Sequence, residues 1–324
     1  MKPATNGIRI MPYSEWTYHP NWLTEKQLLK KGLIPAGEPV AQVFWISKWV
    51  EGHYILLWDI EKATPKVISE SKKAQVAKAK ETLYSNRTCP ICHEVRDYKI
   101  DYEIKSVKMC GECRSLQREV DQAREWLSDP SVILLDTETN GLHGEPVQIG
   151  IARGNGETLL DTYVKPHDPI NEALEEWGED YRGQPVLKRT AFAIHGISNE
   201  MVKDAPTFPE LWPRLVEILV GSRLLIFNAD YDMSCLRHAM HTHGIKAEIT
   251  DRSECVMRWY SQYHGEWVPK YRDYKFISLQ NALNEQSVKI DAPAHSALGD
   301  CQRTLALITT IAAKTAPLDT QETL

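Results

Sequence analysis

Apolar and polar residues alternate with two different periods in the second half of the chain. Runs rich in Val, Ile and Leu, separated by glycine-containing turns, predict strands at 131–137, 147–153, 158–164 and 223–228. Apolar residues spaced three and four apart predict helices at 208–220, 231–243, 253–263, 278–285 and 296–314. Strands first, followed by helices interleaved with strands, indicate an α/β domain in which helices cover a sheet.

The connection between Pro166 and His195 is long and acidic. It contains five carboxylates, namely Glu172, Glu175, Glu176, Glu179 and Asp180. A solvated acidic helix is the main prediction for this segment, and a flap that restricts which substrates enter is the alternative.

The first 60 residues hold five of the ten tryptophans of the chain. Large apolar residues fill two runs, 40–50 and 53–60, on either side of Glu51-Gly52, which predicts a β-hairpin. Before them, Thr24-Glu-Lys-Gln27 has the form of a capping box at the start of a short helix. We interpret the tryptophans as the core of a small domain, with a binding surface as the alternative.

Two further helices are predicted before the α/β domain. The first, Ser71–Leu83, is basic because it contains Lys72, Lys73, Lys78 and Lys80. A solvated face is the main interpretation of this helix, and contact with nucleic-acid phosphates is the alternative. The second, Ser115–Leu127, is a linker helix that ends near Asp129-Pro130. The predicted organisation is therefore an amino-terminal module over 1–129, a second domain over 130–315 and a tail over 316–324.

Four cysteines stand in two C-x-x-C pairs inside residues 87–115. The pair Cys89 and Cys92 is separated by 17 residues from the pair Cys110 and Cys113, a spacing typical of a ribbon-type site with four thiolates. One structural Zn²⁺ is therefore predicted in a small α+β module, with redox-active or disulfide-paired cysteines as the alternative. The remaining cysteines are predicted to be buried core residues: Cys235, Cys255 and Cys301.

Acidic residues follow two of the predicted strands and open the last predicted helix. Asp136 and Glu138 end the first strand and, being two positions apart, point to the same side of it. Asp232 follows the strand at 223–228, and Asp300 comes five residues after His295. Carboxylates bind Mg²⁺ or Mn²⁺, and two such ions stabilise the attacking and leaving oxygens of a phosphodiester. His295 is placed on the loop before the helix, where it could act as a general base for water.

These segments resemble the three motifs of the DnaQ-like 3'-5' exonucleases, the DEDDh branch of the RNase H-like fold. The first motif, D-x-E-T-x-G-L, is matched by Asp136 to Leu142. The second, H-N-A-x-F-D, is matched by Phe227 to Asp232, with Phe227 where the family often has His; this register makes Asp232 and not Asp230 the metal ligand. The third, H-x-A-x-x-D, is matched by His295 to Asp300. The resemblance covers about residues 130–315.

The resemblance implies an RNase H-like mixed sheet flanked by helices, preceded here by the zinc-ribbon module. It implies two Mg²⁺ or Mn²⁺ ions and a general base, His295, and the ligands of the ions would be Asp136, Glu138, Asp232 and Asp300. Substrate contacts are implied for Thr139, Leu142, His195 and Asn228, with Leu142 as an apolar wedge against the 3'-terminal base. The expected activity is 3'-5' hydrolysis of nucleic acid to nucleoside 5'-monophosphates, and DNA is the favoured substrate. An RNA-trimming enzyme of the same fold and a catalytically silent zinc-based adaptor are the alternatives.

Charge is distributed unevenly along the chain. Residues 1–129 carry 20 basic and 17 acidic residues, a balance of +3, whereas residues 130–324 carry 18 and 27, a balance of −9. The amino-terminal module is therefore predicted to supply attraction for nucleic acid, and a protein partner is the alternative. The hydrophobic content of 42 % is ordinary for a soluble protein, and neither a membrane span nor a signal-peptide core is present, so cytoplasmic residence is expected.

Overall fold

The computed structural model describes residues 6–47, 50–104, 106–142, 144–180, 182–247, 249 and 253–319. Within these residues the strands, in chain order, are β1 (Ile10–Met11), β2 (Trp22–Leu23), β3 (Leu33–Ile34), β4 (Ala41–Ser47), β5 (Val50–Asp59), β6 (Thr64–Pro65), β7 (Glu103–Ile104), β8 (Val107–Lys108), β9 (Val132–Thr139), β10 (Pro146–Arg153), β11 (Thr158–Tyr163), β12 (Glu175–Glu179), β13 (Pro185–Arg189), β14 (Arg223–Ile226), β15 (Ser253–Cys255), β16 (Trp267–Val268) and β17 (Asp273–Tyr274). The helices are α1 (Tyr13–Trp16), α2 (Glu25–Lys30), α3 (Glu70–Ser85), α4 (Gly111–Ser128), α5 (Phe192–His195), α6 (Asn199–Val202), α7 (Phe208–Leu219), α8 (Ala229–Thr242), α9 (Val256–His264), α10 (Leu279–Glu285) and α11 (Ala297–Ala312).

The first compact unit, Met1–Asn86, contains a four-stranded sheet in the order β1-β4-β5-β2. Its buried core consists of Met11, Ala41, Val43 and Leu57. Trp16 and Trp22 pack against this core, which agrees with the structural interpretation of the early tryptophans. The capping box of α2 is present, because the Thr24 side chain accepts from the Gln27 N–H and Gln27 accepts from the Thr24 N–H. None of the described residues of α3 is buried.

Strands β4 and β5 form the predicted hairpin, but its turn is not at Glu51-Gly52. Both residues lie inside β5, and Ser47 is paired with Val50. A Cβ atom on Gly52 would clash with the ring of Phe44 on the neighbouring strand. The glycine therefore makes room for an aromatic side chain within the sheet and does not form the turn.

The second compact unit, Arg87–Leu324, is built on a five-stranded sheet in the order β11-β10-β9-β14-β15. Strand β10 is antiparallel to both of its neighbours, β11 and β9, and β14 and β15 run parallel to β9. Apolar clusters cover both faces, since Leu134 packs in one cluster and its neighbours Ile133 and Leu135 pack in the other. Helices α7 and α8 contribute to one cluster and α4, α9, α10 and α11 to the other. The predicted mixed sheet flanked by helices is confirmed.

The linker helix belongs to the second unit and not to an amino-terminal module of 129 residues. Val120, Ala123 and Trp126 of α4 lie in the same apolar cluster as the sheet and α11, and all three are buried. The Trp126 indole donates to Glu254 at 3.2 Å. Since α4 also carries two of the four paired cysteines at its start, the cysteine module is part of this unit as well. The division observed between Asn86 and Arg87 therefore differs from the predicted division at 129–130.

The acidic connection forms a β-hairpin, so the prediction of a helix there was wrong. Strands β12 and β13 are antiparallel and pair Glu175 with Arg189 and Glu176 with Lys188. Opposite charges directly across two strands stabilise the hairpin, and an acidic helix would lack these partners. Asp180 accepts from the N–H of Gln184 at 2.9 Å in the turn.

The predicted tail packs against the domain where it is described. Ala316 is fully buried, Leu318 is 8 % exposed, and Asp319 forms an ion pair with Arg124 of α4 at 2.7 Å. Residues 320–324 lie outside the described residues. Among the described helices, none combines the length and the apolar character that crossing a bilayer requires.

Candidate active site

Strand β9 carries two carboxylates at its carboxyl end. Asp136 and Glu138 alternate with Thr137 and Thr139, which are 5 % and 4 % exposed. On the neighbouring strand β10, Gly150 is paired with Asp136 and Gln148 with Glu138. Because β9 lies in the centre of the sheet, its two acidic residues are held in fixed positions by strands on both sides.

Asp232 reaches this site from the first turn of α8, the helix that follows β14. Its carboxylate accepts hydrogen bonds from the N–H of Thr137 at 2.9 Å and from the Thr137 hydroxyl at 2.8 Å, and it is 3 % exposed. Asp230, two residues earlier, points away: its side chain is 79 % exposed and forms an ion pair with Arg258 at 2.9 Å. The structure therefore places Asp232, and not Asp230, beside the carboxylates of β9.

Asp300 and His295 come from the start of α11. Asp300 lies in the first turn of the helix, whose N-cap is Ser296. His295 precedes the helix with a φ of 58°, in the left-handed region, and its N–H donates to Asp300 at 3.2 Å. One side-chain polar atom from each of Glu138, His295 and Asp300 lies within 4.8 Å of the others. His295 is thus on the loop before the helix, as the sequence predicts.

Helix α11 approaches β10 closely because Gly150 has no side chain. A Cβ atom there would clash with the main chain of Ala297 and Leu298. The N–H of Ala297 donates to the Gln148 side chain at 3.2 Å, and the thiol of Cys301 donates to the Gly150 carbonyl at 3.3 Å. This contact brings the first turn of α11, and with it Asp300, to the strand pair that carries Asp136 and Glu138.

The four carboxyl groups disfavour one another's ionisation. Burial, together with the charges of Asp232, Glu138 and Asp300, raises the pKa of Asp136 well above its ordinary value. Burial and the charges of Asp300 and Asp232 raise the pKa of Glu138 to about 8. Burial raises the pKa of Asp232 to about 7, although the hydrogen bonds from Thr137 act to lower it. Clustered oxygen donors of this kind fit hard divalent cations such as Mg²⁺ or Mn²⁺, which would offset the repulsion.

These pKa shifts predict an unusual pH dependence of stability. The unfolded chain releases the protons of these groups near pH 4, whereas the folded chain holds those of Asp232 and Glu138 until about 7 and about 8. The folded state therefore binds more protons in this window, so the free energy of unfolding should fall as pH rises from 5 to 8. We expect the melting temperature of protein dialysed free of Mg²⁺ and Mn²⁺ to fall over this range, and added Mg²⁺ to restore it most at pH 8.

The same measurement on Asp232→Asn provides the control, because that variant lacks one of the shifted groups and should show a shallower pH slope. Zinc content is measured in every sample, so that a loss of zinc is not mistaken for the pH dependence that the four carboxyl groups cause. A melting temperature that stays level or rises between pH 5 and 8 in the dialysed protein would contradict the prediction.

The residues predicted to contact substrate surround the end of β9 and have different exposures. The His195 ring accepts from the N–H of Ile197 at Nδ1, so Nε2 carries the proton and donates to the Thr139 carbonyl at 3.0 Å. Leu142 is 72 % exposed, as an apolar contact for a base requires, and Asn228 is exposed at the N-cap of α8. Phe227 is buried in the core at 9 % exposure, so its replacement of His does not bring an aromatic ring to the surface.

Tyr231 is a member of the site that the sequence analysis missed. Its hydroxyl lies 2.7 Å from the hydroxyl of Thr139, which also donates to the Gly141 carbonyl at 2.9 Å. Tyr231 thereby connects α8 to the loop that presents Leu142. Its position inside the second motif, one residue before Asp232, is the signal that could have revealed it.

The four paired cysteines converge at a second location. Their sulfur atoms all lie within 4.8 Å of one another, with 3.9 Å between Cys89 and Cys113 and 3.8 Å between Cys92 and Cys110. The edge of a tetrahedron of thiolates around Zn²⁺ at about 2.3 Å is about 3.8 Å, so the spacing fits this ion. Arg96 donates to Cys110 at 3.3 Å and the Cys110 N–H donates to Cys89 at 3.3 Å, which stabilises thiolates. Cys235 and Cys301 are buried as predicted, whereas Cys255 is half-buried.

Comparison with known proteins identifies the family. A family model described as exonuclease, RNase_T, matches residues 183–308, a range that includes Asp232, His295 and Asp300. The uncharacterized exonuclease CP81 of Escherichia phage 186 is 32 % identical over 198 residues, which cover 59 % of this chain and 92 % of the phage protein. The chain belongs to the DnaQ-like 3'-5' exonuclease family. It is therefore an exonuclease, and exonucleases of this family use divalent metal ions.

Other members and solved structures show more partial similarity to this exonuclease. The epsilon subunit of DNA polymerase III from Escherichia coli K12 is 28 % identical over 130 residues, which cover 37 % of this chain and 50 % of the subunit. Exonuclease X in complex with 5' overhanging duplex DNA is 24 % identical, with a TM-score of 0.39 over 57 % of this chain and 95 % of that one. The nuclease domain of 3'hExo bound to rAMP is 16 % identical, with a TM-score of 0.38 over 55 % of this chain and 89 % of that one.

Proposed function

We propose that this exonuclease hydrolyses DNA from the 3' end to nucleoside 5'-monophosphates by a two-metal mechanism. The observation that carries the proposal is the proximity of four carboxylates from three separate elements. Asp300 lies within 4.8 Å of Glu138, Asp232 bonds to Thr137, and the charges of all three carboxylates act on Asp136. The preference for DNA is supported by relatives named as subunits of DNA polymerase III.

The four carboxylates would hold two Mg²⁺ or Mn²⁺ ions. Such ions, when bound, stabilise charge on the attacking and leaving oxygens of the phosphodiester. Thr137 fixes one oxygen of Asp232 through two hydrogen bonds, so the other oxygen is left to face the site. Arg303 lies 3.1 Å from Asp300 on the same helix and holds that carboxylate in place.

His295 is proposed as the general base. It is exposed on the loop before α11, and a polar atom of its ring lies within 4.8 Å of Glu138 and Asp300. An imidazole nitrogen at that position can accept a proton from the attacking water, which is the role of a general base. His195 is a poor candidate for this role, since both of its ring nitrogens are already hydrogen-bonded.

The 3'-terminal nucleotide is proposed to lie against the loop at the end of β9. Leu142 would contact its base, while Thr139 and Asn228 would lie beside its sugar and phosphate. His195 acts here by holding the Thr139 carbonyl, and through it the loop, in position. In this arrangement the terminal nucleotide lies between α8 and the β9 loop, next to the carboxylates.

The proposal is tested by incubating the full-length protein with DNA and RNA oligonucleotides labelled at the 5' end, with and without Mg²⁺. We expect a ladder of products shortened from the 3' end, dependent on Mg²⁺ and faster with DNA. A faster reaction with RNA would make the enzyme an exoribonuclease. Absence of cleavage with either substrate, in Mg²⁺ and in Mn²⁺, would favour the silent adaptor.

Replacement of the proposed base gives the next prediction. His295→Ala should lower kcat by roughly 10²–10⁴, the usual contribution of a general base, because water then loses its proton acceptor. The measurement is the rate of 3' shortening from pH 5.5 to 9, and the shape of the profile should differ between the variant and the wild type. His241→Ala, at an exposed position in the last turn of α8, is the matched control and should keep both rate and profile. An unchanged pH–rate profile in His295→Ala would remove the assignment of the base.

We also propose that the cysteine cluster holds one structural Zn²⁺. Four thiolates close a tetrahedral site and leave no open position for water, so this ion should not take part in cleavage. Metal analysis of protein purified without chelator should find one zinc per chain. Cys110→Ser should lose zinc and lower the melting temperature by several degrees, since 1 kcal/mol is worth about 2–4 °C in a domain of this size.

A buried cysteine that belongs to neither C-x-x-C pair provides the control for this prediction. Cys235→Ser removes a buried cysteine outside the cluster, and this variant should keep its zinc. A truncation that starts near Ser128 would remove the cysteine cluster. It is not a suitable test, because it also deletes α4 and with it Val120, Ala123 and Trp126 of the core. Protein that contains no zinc, yet melts at the same temperature with and without added zinc, would contradict a structural zinc site.

A further inference from the structure

A groove lies between α4 and α9. It consists of two adjoining cavities of about 400 and 530 Å³, and Arg118 and Gln262 line both. Arg258 lines the first cavity and forms an ion pair with Asp230, two residues before Asp232. Gly111, at the start of α4 beside Cys110, lines the second cavity. The groove therefore lies between Arg258, which contacts the helix that carries Asp232, and Gly111, which directly follows Cys110.

Three arginines follow one another along this groove. Arg258 lines the first cavity, Arg118 lies where the two cavities meet, and Arg114 lines the second. The carboxylates of the lining are already bonded to arginines: Glu112 to Arg96, Glu119 to Arg118, and Glu254 to Arg223. Among the residues that the structure describes, Arg114 has no carboxylate partner, and its guanidinium lies 3.9 Å from the centre of the Tyr102 ring. Its charge is therefore available to an anion in the groove.

Aromatic side chains form one wall of the groove. The segment from Trp267 to Phe276 contains four aromatic residues and three basic residues, together with one acidic residue, Asp273. Trp267 and Tyr274 line the larger cavity, with their ring centres 5.3 Å apart, and Trp267 is 51 % exposed. At the other end, the Arg258 guanidinium lies 5.4 Å from the centre of the Phe276 ring, which is 48 % exposed. Large rings are thus presented to solvent along the whole segment.

We propose that this groove binds the single-stranded stretch of nucleic acid on the 5' side of the nucleotide being removed. An arginine without a carboxylate partner, here Arg114, can neutralise a phosphate, and exposed rings stack on bases without regard to sequence. Because Arg258 of the groove contacts α8, the helix that also carries Asp232, a strand whose 3' end lies at the carboxylates is proposed to continue into the groove. The proposal rests on the proposed function and adds to it that the substrate is held as a single strand, which reaches the cysteine cluster.

The test compares a dinucleotide, which ends before the groove, with a 20-nucleotide single strand, as DNA and as RNA. For each we measure kcat/KM with the full-length protein, and the quantity compared is the ratio of the long to the short substrate. Trp267→Ala should lower this ratio at least about fivefold through lost stacking. Arg114→Gln should lower it as well. Arg214→Gln, an exposed arginine of α7 paired with Glu217, is the matched control and should keep the wild-type ratio.

Binding is measured independently of cleavage. In an Asp232→Asn background, fluorescence anisotropy of a labelled 20-mer gives the dissociation constant from 50 to 300 mM salt. Arg114→Gln should flatten the slope of log K against log salt by about 0.7, the value for one phosphate contact on a single strand. Arg214→Gln should not change the slope. Because Arg114 follows Cys113, zinc content is measured for Arg114→Gln. If that variant has lost zinc, the binding constant of Trp267→Ala, on the opposite wall, decides whether the groove binds the strand.

The outcomes separate this proposal from the proposed function. If the wild type shortens both substrates but the ratio and the salt slope are the same in every variant, the groove does not bind the strand. It would then be a candidate for a protein partner, although the exonuclease assignment would stand. If the wild type cleaves neither substrate, the proposed function fails, and the anisotropy series still decides: weaker binding by Trp267→Ala and Arg114→Gln supports the groove, and unchanged binding overturns it.

Discussion

Asp232→Asn should abolish cleavage, whereas Asp230→Asn, two residues earlier on the same helix, should keep most of it. Asp232 is 3 % exposed and lies beside Thr137 between the two carboxylates of β9, while Asp230 is exposed and bonded to Arg258. Loss of an outer partner of a metal ligand usually costs 10- to 100-fold, so loss of a ligand itself should exceed about 100-fold. The rate of 3' shortening of a labelled oligonucleotide at saturating Mg²⁺ is the measurement.

The two variants control for each other because each exchanges one carboxylate for an amide in the first turn of α8. At pH 8 in Mg²⁺-free buffer, Asp232→Asn should be at least as stable as the wild type, since it removes a buried acid whose pKa is raised to about 7. Lost activity in a folded, stable protein would thus reflect the site and not the fold. The opposite result, activity lost in Asp230→Asn and kept in Asp232→Asn, would show that the second motif was aligned incorrectly.

The parts of the fold that could be predicted from the sequence are those with a local signal. Strands β9, β10 and β11 and helices α7, α8 and α11 appear within three residues of their predicted bounds. Each has a run of apolar residues of the right period and a turn or cap at its ends. The carboxylates that end β9 and open α8 and α11 were found for the same reason, because motif and element boundary coincide.

The elements that were missed depend on partners distant in the chain or on short strands. The acidic segment 175–179 has no apolar period, and only its pairing with the basic residues of β13 makes it a strand. The linker helix has an ordinary amphipathic pattern, which shows that one face is buried but not against which domain. In the structure that face packs against α11, which lies some 190 residues later in the chain, as the bond from Arg124 to the Ala312 carbonyl illustrates.

The site contains residues whose importance depends on three-dimensional proximity alone. Tyr231 matters because its hydroxyl meets that of Thr139, which lies 92 positions away in sequence. Gly150 matters because α11 returns to pack on β10 opposite Asp136. A glycine inside a predicted strand is a general signal of close backbone approach, yet it does not reveal what approaches. Only the structure shows that the approaching element carries Asp300 and His295.

Gly150→Ala should therefore cost both stability and activity, although Gly150 has no chemistry of its own. The new Cβ atom would clash with the main chain of Ala297 and Leu298, and main chain has no rotamer that could move aside. Helix α11 must shift away from β10, which should lower the free energy of unfolding by about 1–3 kcal/mol. The shift also moves Asp300 and His295 relative to Asp136 and Glu138, and a displacement of 1 Å in a catalytic site can cost about 100-fold in rate.

Gly154→Ala is the matched control for this prediction, since Gly154 directly follows the same strand. A Cβ atom at this position has its nearest neighbour, a Val132 side-chain carbon, at 3.6 Å, which is an ordinary contact. Denaturant unfolding and the rate of 3' shortening are measured for both variants. We expect Gly154→Ala to match the wild type. Gly150→Ala should still be folded at assay temperature, so its loss of activity should be far larger than its loss of stability explains. Wild-type activity in Gly150→Ala would mean that the contact between α11 and β10 does not position the metal ligands.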